Sequence, residues 1–435
     1  MATIVQTPRT PARDPDRRQR STPGTLRLLL IALVLLCAGW GALAAIAAAQ
    51  HASAAANVVA VSEPLSLDAQ QIYQSLADAD VTVSTAYLKG STEPVQDRQR
   101  YQNDINVATA DLKTATAASG SSGNSVIGPS LATLDTALPV YTAYVEDGKV
   151  YNSVNMPAGG SFMEVASEEM HLVLLPAARA VYDEENAQLT AASAQATGLP
   201  LVIVAVLAGL LAGLAGFRAQ RWLAHRTRRR INQGLFVATV AGAVALAWLA
   251  IAMLVGRADL LQATEHGSKP AETLAQAGIS AMQARGDEAL NLISRTGDSD
   301  FQGDIDGIEK GLTGQLGSAA SQSTPAGAHL INDAQQAETK WFTANQQLHV
   351  LDVGYHYGAE TQLAIGNGPD SAATTFNRLQ SDLGQAITAD QAVFTSNAAD
   401  GKDAFSGLDI GIIVLAVIMA AGCAWGLSRR LVEYR

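Results

Sequence analysis

Four stretches of the chain, residues 28–49, 199–217, 235–256 and 410–427, are almost free of polar side chains and run to 22, 19, 22 and 18 residues. At about 1.5 Å rise per residue, a helix made from each is about long enough to cross a ~30 Å hydrocarbon layer. Between them the apolar positions step by threes and fours. Leu65, Ile72, Leu76, Val83 and Tyr87 form one stripe, and Tyr101, Ile105, Ala108, Leu112 and Ala115 a second. Leu131, Leu134, Leu138, Tyr141 and Val145 form a third, and a looser fourth runs from Val165 to Leu189. Farther on, Leu330, Ala334, Ala337, Trp341, Ala344, Leu348 and Leu351 step 4,3,4,3,4,3. Such spacing places one apolar seam on each helix. No run alternates with period two, so almost no strand is expected. Helices separated by Gly-, Ser- and Pro-rich loops suit up-down bundles.

The predicted fold class is an all-α membrane protein: four transmembrane helices with two extracytoplasmic four-helix bundles, internally duplicated. The boundaries read as a head 1–27, span 28–49, bundle 50–198, span 199–217, basic link 218–234, span 235–256, bundle 257–409, span 410–427 and tail 428–435. Small matches support a repeat of roughly 200–210 residues. Tyr101-Gln102-Asn103-Asp104-Ile105 recurs as Phe301-Gln302-Gly303-Asp304-Ile305, and the Ser/Gly loop 119–129 has a counterpart in 317–327. The turn 156–160 is matched to 366–369. Gly209/Gly213 and Gly422/Gly426 repeat a GxxxG spacing, read as helix-packing positions that also admit a homo-oligomer. The first arm is expected to continue past its span through Asn57 and Val61, and the fourth to break near Gly198 and Pro200.

Charge gives the expected orientation. Head, link and tail hold 15 Arg, no Lys and three acids, whereas the two long segments hold 14 basic and 37 acidic residues. Short basic loops stay in the cytoplasm while long acidic segments translocate. Both termini and the link are therefore expected inside, at a plasma membrane, with both long segments outside. The first apolar run exceeds the 7–15 residues of a signal-peptide core, so it is read as a retained span. Cys37 and Cys423, the chain's two cysteines, both lie in apolar runs, which leaves the exposed segments without a disulfide framework.

Little in the chain suggests chemistry. No P-loop, Rossmann fingerprint, GxSxG or kinase signature is present, and no cofactor, catalytic residue, metal site or nucleic-acid partner is expected. His349 and His356 lie seven apart without the further ligands zinc would need. Glu168, Glu169, Asp183, Glu184 and Glu185 read as a solvated helix face. The apolar runs lack the buried charge of a permease, and a soluble enzyme is excluded. Arg226, Arg228, Arg229 and Arg230 are candidates for contact with a cytoplasmic partner, beside the plainer reading of topology and lipid head groups. Arg98, Arg100 and Arg179, scarce cations in an acidic segment, are candidates for holding a ligand carboxylate outside, beside the plainer reading of helix-surface ion pairs.

The layout resembles the four-helix-bundle sensor domains of bacterial chemoreceptors and histidine kinases, without their cytoplasmic signalling module. Three stretches are similar to actinobacterial GlnX-type membrane proteins: 62–80, opening Ser62-Glu63-Pro64; 101–105; and 138–178, closing Leu174-Leu175-Pro176-Ala177-Ala178. The excess of Arg over Lys, 22 to 7, suits a GC-rich actinobacterium. The resemblance implies a non-enzymatic sensor that relays extracytoplasmic amino-acid availability. A GlnH-type solute-binding lipoprotein would report it from outside, and a PknG-type Ser/Thr kinase would receive it inside. The competing expectation is a scaffolding envelope protein that binds wall or secretion components.

Overall fold

The computed structural model describes residues 22–122, 126–227, 232–294 and 300–432. Fourteen α-helices account for nearly all of them: α1 (Thr22–Asn57), α2 (Glu63–Leu88), α3 (Val95–Ser122), α4 (Gly128–Ser153), α5 (Ala158–Glu169), α6 (Leu175–Thr197), α7 (Pro200–Thr227), α8 (Gln233–Ala263), α9 (Lys269–Ser294), α10 (Asp300–Gln322), α11 (Pro325–Val353), α12 (Tyr357–Ile365), α13 (Ala372–Ala404) and α14 (Leu408–Val432). No strand occurs among the described residues. The chain divides into two compact units. Met1–Gln50, Leu199–Met253 and Ser406–Arg435 form one, and His51–Gly198 with Leu254–Phe405 form the other.

The first unit gathers the four helices that are long and apolar enough to cross a membrane. Its outward face is apolar: Leu28, Ile31, Leu35, Leu211, Ile251, Ile410 and Val417 are each more than half exposed, as a lipid-facing surface requires. Its inner contacts depend on small residues. A Cβ on Gly209 would strike Leu246 and the Trp40 indole, and one on Gly422 or Gly426 would strike the backbone at Gly234. Gly213, by contrast, has open space beside it. Three of the four GxxxG glycines thus sit at close helix approaches. Trp40 Nε1 donates to the Ala205 carbonyl at 2.9 Å, and Asn232 Nδ2 to that of Gly426 at 2.8 Å. An apolar cavity of about 450 Å³, lined among others by Cys37, Trp40, Gly209, Met419 and Cys423, lies among these helices.

In the second unit, α2, α3, α4 and α6 pack in a ring, with α5 against α4, and α9, α10, α11 and α13 pack in another. The seams bury as the spacing predicts. Leu131, Leu134, Leu138, Tyr141 and Val145 are all buried, as are Ala334, Ala337, Trp341, Ala344 and Leu348. Trp341 is wholly buried, with Phe342 and Phe376 rings centred 4.8 and 5.1 Å away. The loose fourth stripe is corrected: Val165 is exposed, and Met163, Ala166, Met170 and Leu174 face the core. The two rings are also joined, because α2 of the first packs along α9 of the second.

Three five-residue π-helical turns, Val58–Ser62, Met170–Leu174 and Thr264–Ser268, join α1 to α2, α5 to α6 and α8 to α9. A proline follows each at the second position of the next helix: Pro64, Pro176 and Pro270. Proline has no N–H, and its ring collides with the carbonyl four residues back in a regular helix. The wider π turn gives that ring room, and the residue before each proline donates five residues back, Glu63 to Val58, Leu175 to Met170 and Lys269 to Thr264. The helices therefore continue through their prolines. Gly198 does break the chain as expected, taking an extended ψ of 138° between α6 and α7. Asn155 (φ 54°) and Tyr355 (φ 58°), both in the left-handed region, each lie two residues beyond the ends of α4 and α11.

Candidate functional site

Several of the second unit's buried polar side chains lie at or beside the contact between α2 and α9. Asp80 sits on the core face of α2 with 2% exposure. Its carboxylate accepts from the Ser167 hydroxyl on α5 at 3.1 Å and from the Tyr141 hydroxyl on α4 at 3.4 Å. His171, inside the second π turn, places Nε2 3.3 Å from Asp80 and Nδ1 3.6 Å from Asp287 on α9. The histidine thus bridges an acid of the first ring and an acid of the second. Burial alone would lower the His171 pKa. The hydrogen bond and charge of Asp80, with the charge of Asp287, outweigh that and hold it above its ordinary value. Gly286 lies beside the ring, where an added Cβ would meet His171 Nε2 at an ordinary van der Waals distance of 3.4 Å.

One turn away, Arg285 and Glu288 form an ion pair inside the second ring, 1% and 3% exposed. Arg285 Nη2 also donates to the Ala364 carbonyl at the end of α12, at 2.9 Å. Asn345, with its amide oriented to satisfy both neighbours, donates to Glu288 at 2.8 Å and accepts from Trp341 Nε1 at 3.3 Å. Burial pushes the Glu288 pKa up, and Arg285 pulls against it.

Between these groups and the surface lies a cavity of about 60 Å³. Thr82 and Thr85 of α2, Lys89 just past its end, Asp97 and Arg100 of α3, Arg285 of α9, Ile365 of α12, and Phe376 and Asn377 of α13 line it. Arg100 grips Asp78 through Nε at 2.8 Å and Nη2 at 2.6 Å, and reaches the Asn377 carbonyl oxygen at 3.5 Å. Lys89 pairs with Asp97 at 2.6 Å. Asp104 lies beside Arg100 and Asp78, 9% exposed. Burial, then the neighbouring Asp78 charge, pushes its pKa up to about 8.

Of the arginines proposed as ligand contacts, Arg100 alone among Arg98, Arg100 and Arg179 lines this cavity. Arg98 pairs with Glu93 at 2.9 Å, and Arg179 with Asp183 one turn away at 3.7 Å. The side chains of Arg226, Arg228, Arg229 and Arg230 lie outside the described residues. One residue of the supposed wet face is corrected: Glu185 is 4% exposed, with Oε2 buried and without a hydrogen-bond partner. Asp80, His171, Arg285 and Glu288 escaped the sequence reading. Asp80 was nonetheless visible as the missing step in the first stripe, four residues past Leu76 and three before Val83.

Residues 54–194, about a third of the chain, match the family described as actinobacterial sensor domain. The match spans the end of α1 through α6 and includes Asp80, Arg100 and His171. No curated protein and no solved structure matches the chain. The similarity supports a role in sensing and signal transduction at a membrane, and points away from catalysis.

Proposed function

We propose that this chain is a transmembrane signal relay in the manner of GlnX-type proteins. Amino-acid availability outside the cell, presented by a GlnH-type solute-binding lipoprotein, is passed to a PknG-type Ser/Thr kinase inside. In this reading both termini and the link 218–234 are cytoplasmic, and Arg226, Arg228, Arg229 and Arg230 form the kinase-facing surface. The two rings descend from one duplicated unit.

The observation that carries the reading is the seam itself. A bridging histidine and a cationic cavity lie where α2 meets α9, and both helices continue, through π turns, from helices that supply membrane-crossing segments. A relay needs two arrangements of packed helices whose balance an outside event can shift, and movements of ~1–2 Å suffice. Polar groups at the seam give such an event something to act on.

The test is kinase-dependent phosphorylation in cells after amino-acid addition. It compares the intact chain, a deletion strain, and a variant with Arg228, Arg229 and Arg230 replaced by Gln while Arg218 and Arg221 are kept for topology. The relay predicts loss of response in both altered strains. A full response in the deletion strain removes the relay and leaves the scaffolding role.

A further inference from the structure

We propose that the cavity lined by Thr82, Lys89, Arg100 and Arg285 binds a small oxyanion of the carboxylate or phosphate type. Three cationic heads reach it, from α3, α9 and the end of α2, against one lining carboxylate, Asp97. Two of them, Lys89 and Arg100, belong to the first ring, and Arg285 to the second. Each keeps an acid of its own, Asp97, Asp78 and Glu288, which offsets repulsion among the cations.

Donors remain after those pairings. An ammonium has three N–H groups and a guanidinium five. Lys89 uses one on Asp97, and Arg100 Nη1 makes only a 3.5 Å contact with Asn377. Thr82 is 5% exposed and lines the cavity, where its hydroxyl can donate. The first turn of α13, capped by Ser371, also borders the space through Ala373 and turns its positive dipole end there. These observations select an anion that accepts several hydrogen bonds at once.

Volume sets the size. At roughly 10–15 Å³ per water-sized body, the cavity's 60 Å³ holds about four to six such bodies, room for an anion of the size of acetate or phosphate. A ligand there touches both rings, so its binding favours whichever arrangement brings Lys89 and Arg100 closest to Arg285. That last step rests on the relay reading, whereas occupancy of the cavity does not.

The experiment uses the full chain in lipid nanodiscs and reads thermal unfolding against sodium acetate, sodium phosphate and sodium chloride at matched ionic strength. Acetate or phosphate should stabilise the protein saturably beyond chloride, and the arm that does so tells a carboxylate from a phosphate ligand. Lys89→Met and Thr82→Val, each verified as folded by circular dichroism, should raise the half-saturating concentration about tenfold, as loss of one charge-assisted hydrogen bond requires. Arg285→Ala is avoided because it strands Glu288. Stabilisation no greater than chloride's, or half-saturation unchanged in both variants, overturns the site. Saturable binding without any kinase response in cells would keep the site and remove the relay.

Discussion

Gln283 on α9 donates a hydrogen bond to the Tyr73 hydroxyl on α2 at 2.9 Å, joining residues 210 positions apart. Tyr73 is 1% exposed. The bond satisfies two polar groups at a helix contact that is otherwise closed by Ile72, Leu76, Leu274 and Ala281.

Tyr73→Phe keeps the ring and removes the acceptor for Gln283. We expect a loss of about 0.5–1.5 kcal/mol, the ordinary net worth of one intramolecular hydrogen bond. Double replacement, Tyr73→Phe with Gln283→Leu, should recover part of it. A Tyr73→Phe variant as stable as the parent in thermal unfolding would show that the bond contributes nothing.

Arg285→Met should cost about 3–5 kcal/mol, because Glu288 would remain as a buried, uncompensated acid. The pair replacement Arg285→Met with Glu288→Leu should be much closer to the parent, since buried ion pairs repay little more than their desolvation. A double-mutant cycle with no coupling between the two sites would contradict the ion pair.

Acidity should matter in a definite direction. Asp104 holds its proton to about pH 8 in the folded chain but releases it near pH 4 when unfolded, so its burial weakens the fold progressively as pH rises through that window. His171, with a raised pKa, contributes stability that is full below its unfolded value near 6.5 and fades as pH climbs through the higher folded value. Both effects make the second unit less stable at alkaline pH. Asp104→Asn should flatten the stability profile between pH 4 and 8, and His171→Gln the portion above about 6.5. Parallel profiles for the parent and both variants would refute these assignments.

Cys37 of α1 and Cys423 of α14 are both free and buried, and both line the same apolar cavity of the first unit. Mild oxidation of the intact chain in membranes should therefore join them within one molecule, giving a faster band on a non-reducing gel that Cys37→Ser abolishes. An oxidised chain that forms only intermolecular dimers would place α1 and α14 apart.

Much of this architecture was legible because helical spacing reports which face of a helix is buried. The stripe through Leu131 and Val145 is buried throughout, and that around Trp341 is buried from Ala334 to Leu348, with Leu330 and Leu351 half-buried at its ends. Spacing does not report which helix covers that face, so the pairing of α2 with α9, over 200 residues away in the chain, had no signal in it. Charged residues on an apolar face were the overlooked clue. Asp80 fills the empty step of its own stripe. Arg285 and Glu288, three apart, share the face of Met282 and Ala289. Pro64, Pro176 and Pro270 do not interrupt their helices, because the π turns before them keep the helices running.

Those turns bear on which lengths of chain natural variation can accept. A π turn absorbs one surplus residue locally, so side chains on either side keep their facing although the apolar rhythm in the sequence slips by one position. Removing one residue from Val58–Ser62, together with Pro64→Ala, would restore an ordinary helix and leave Asp80 on the same side of α2. The same deletion anywhere between Leu67 and Ala79 would swing Asp80 through about 100° relative to the start of α2. Length changes among relatives should therefore collect at the three proline-marked turns and be absent from the helices they join.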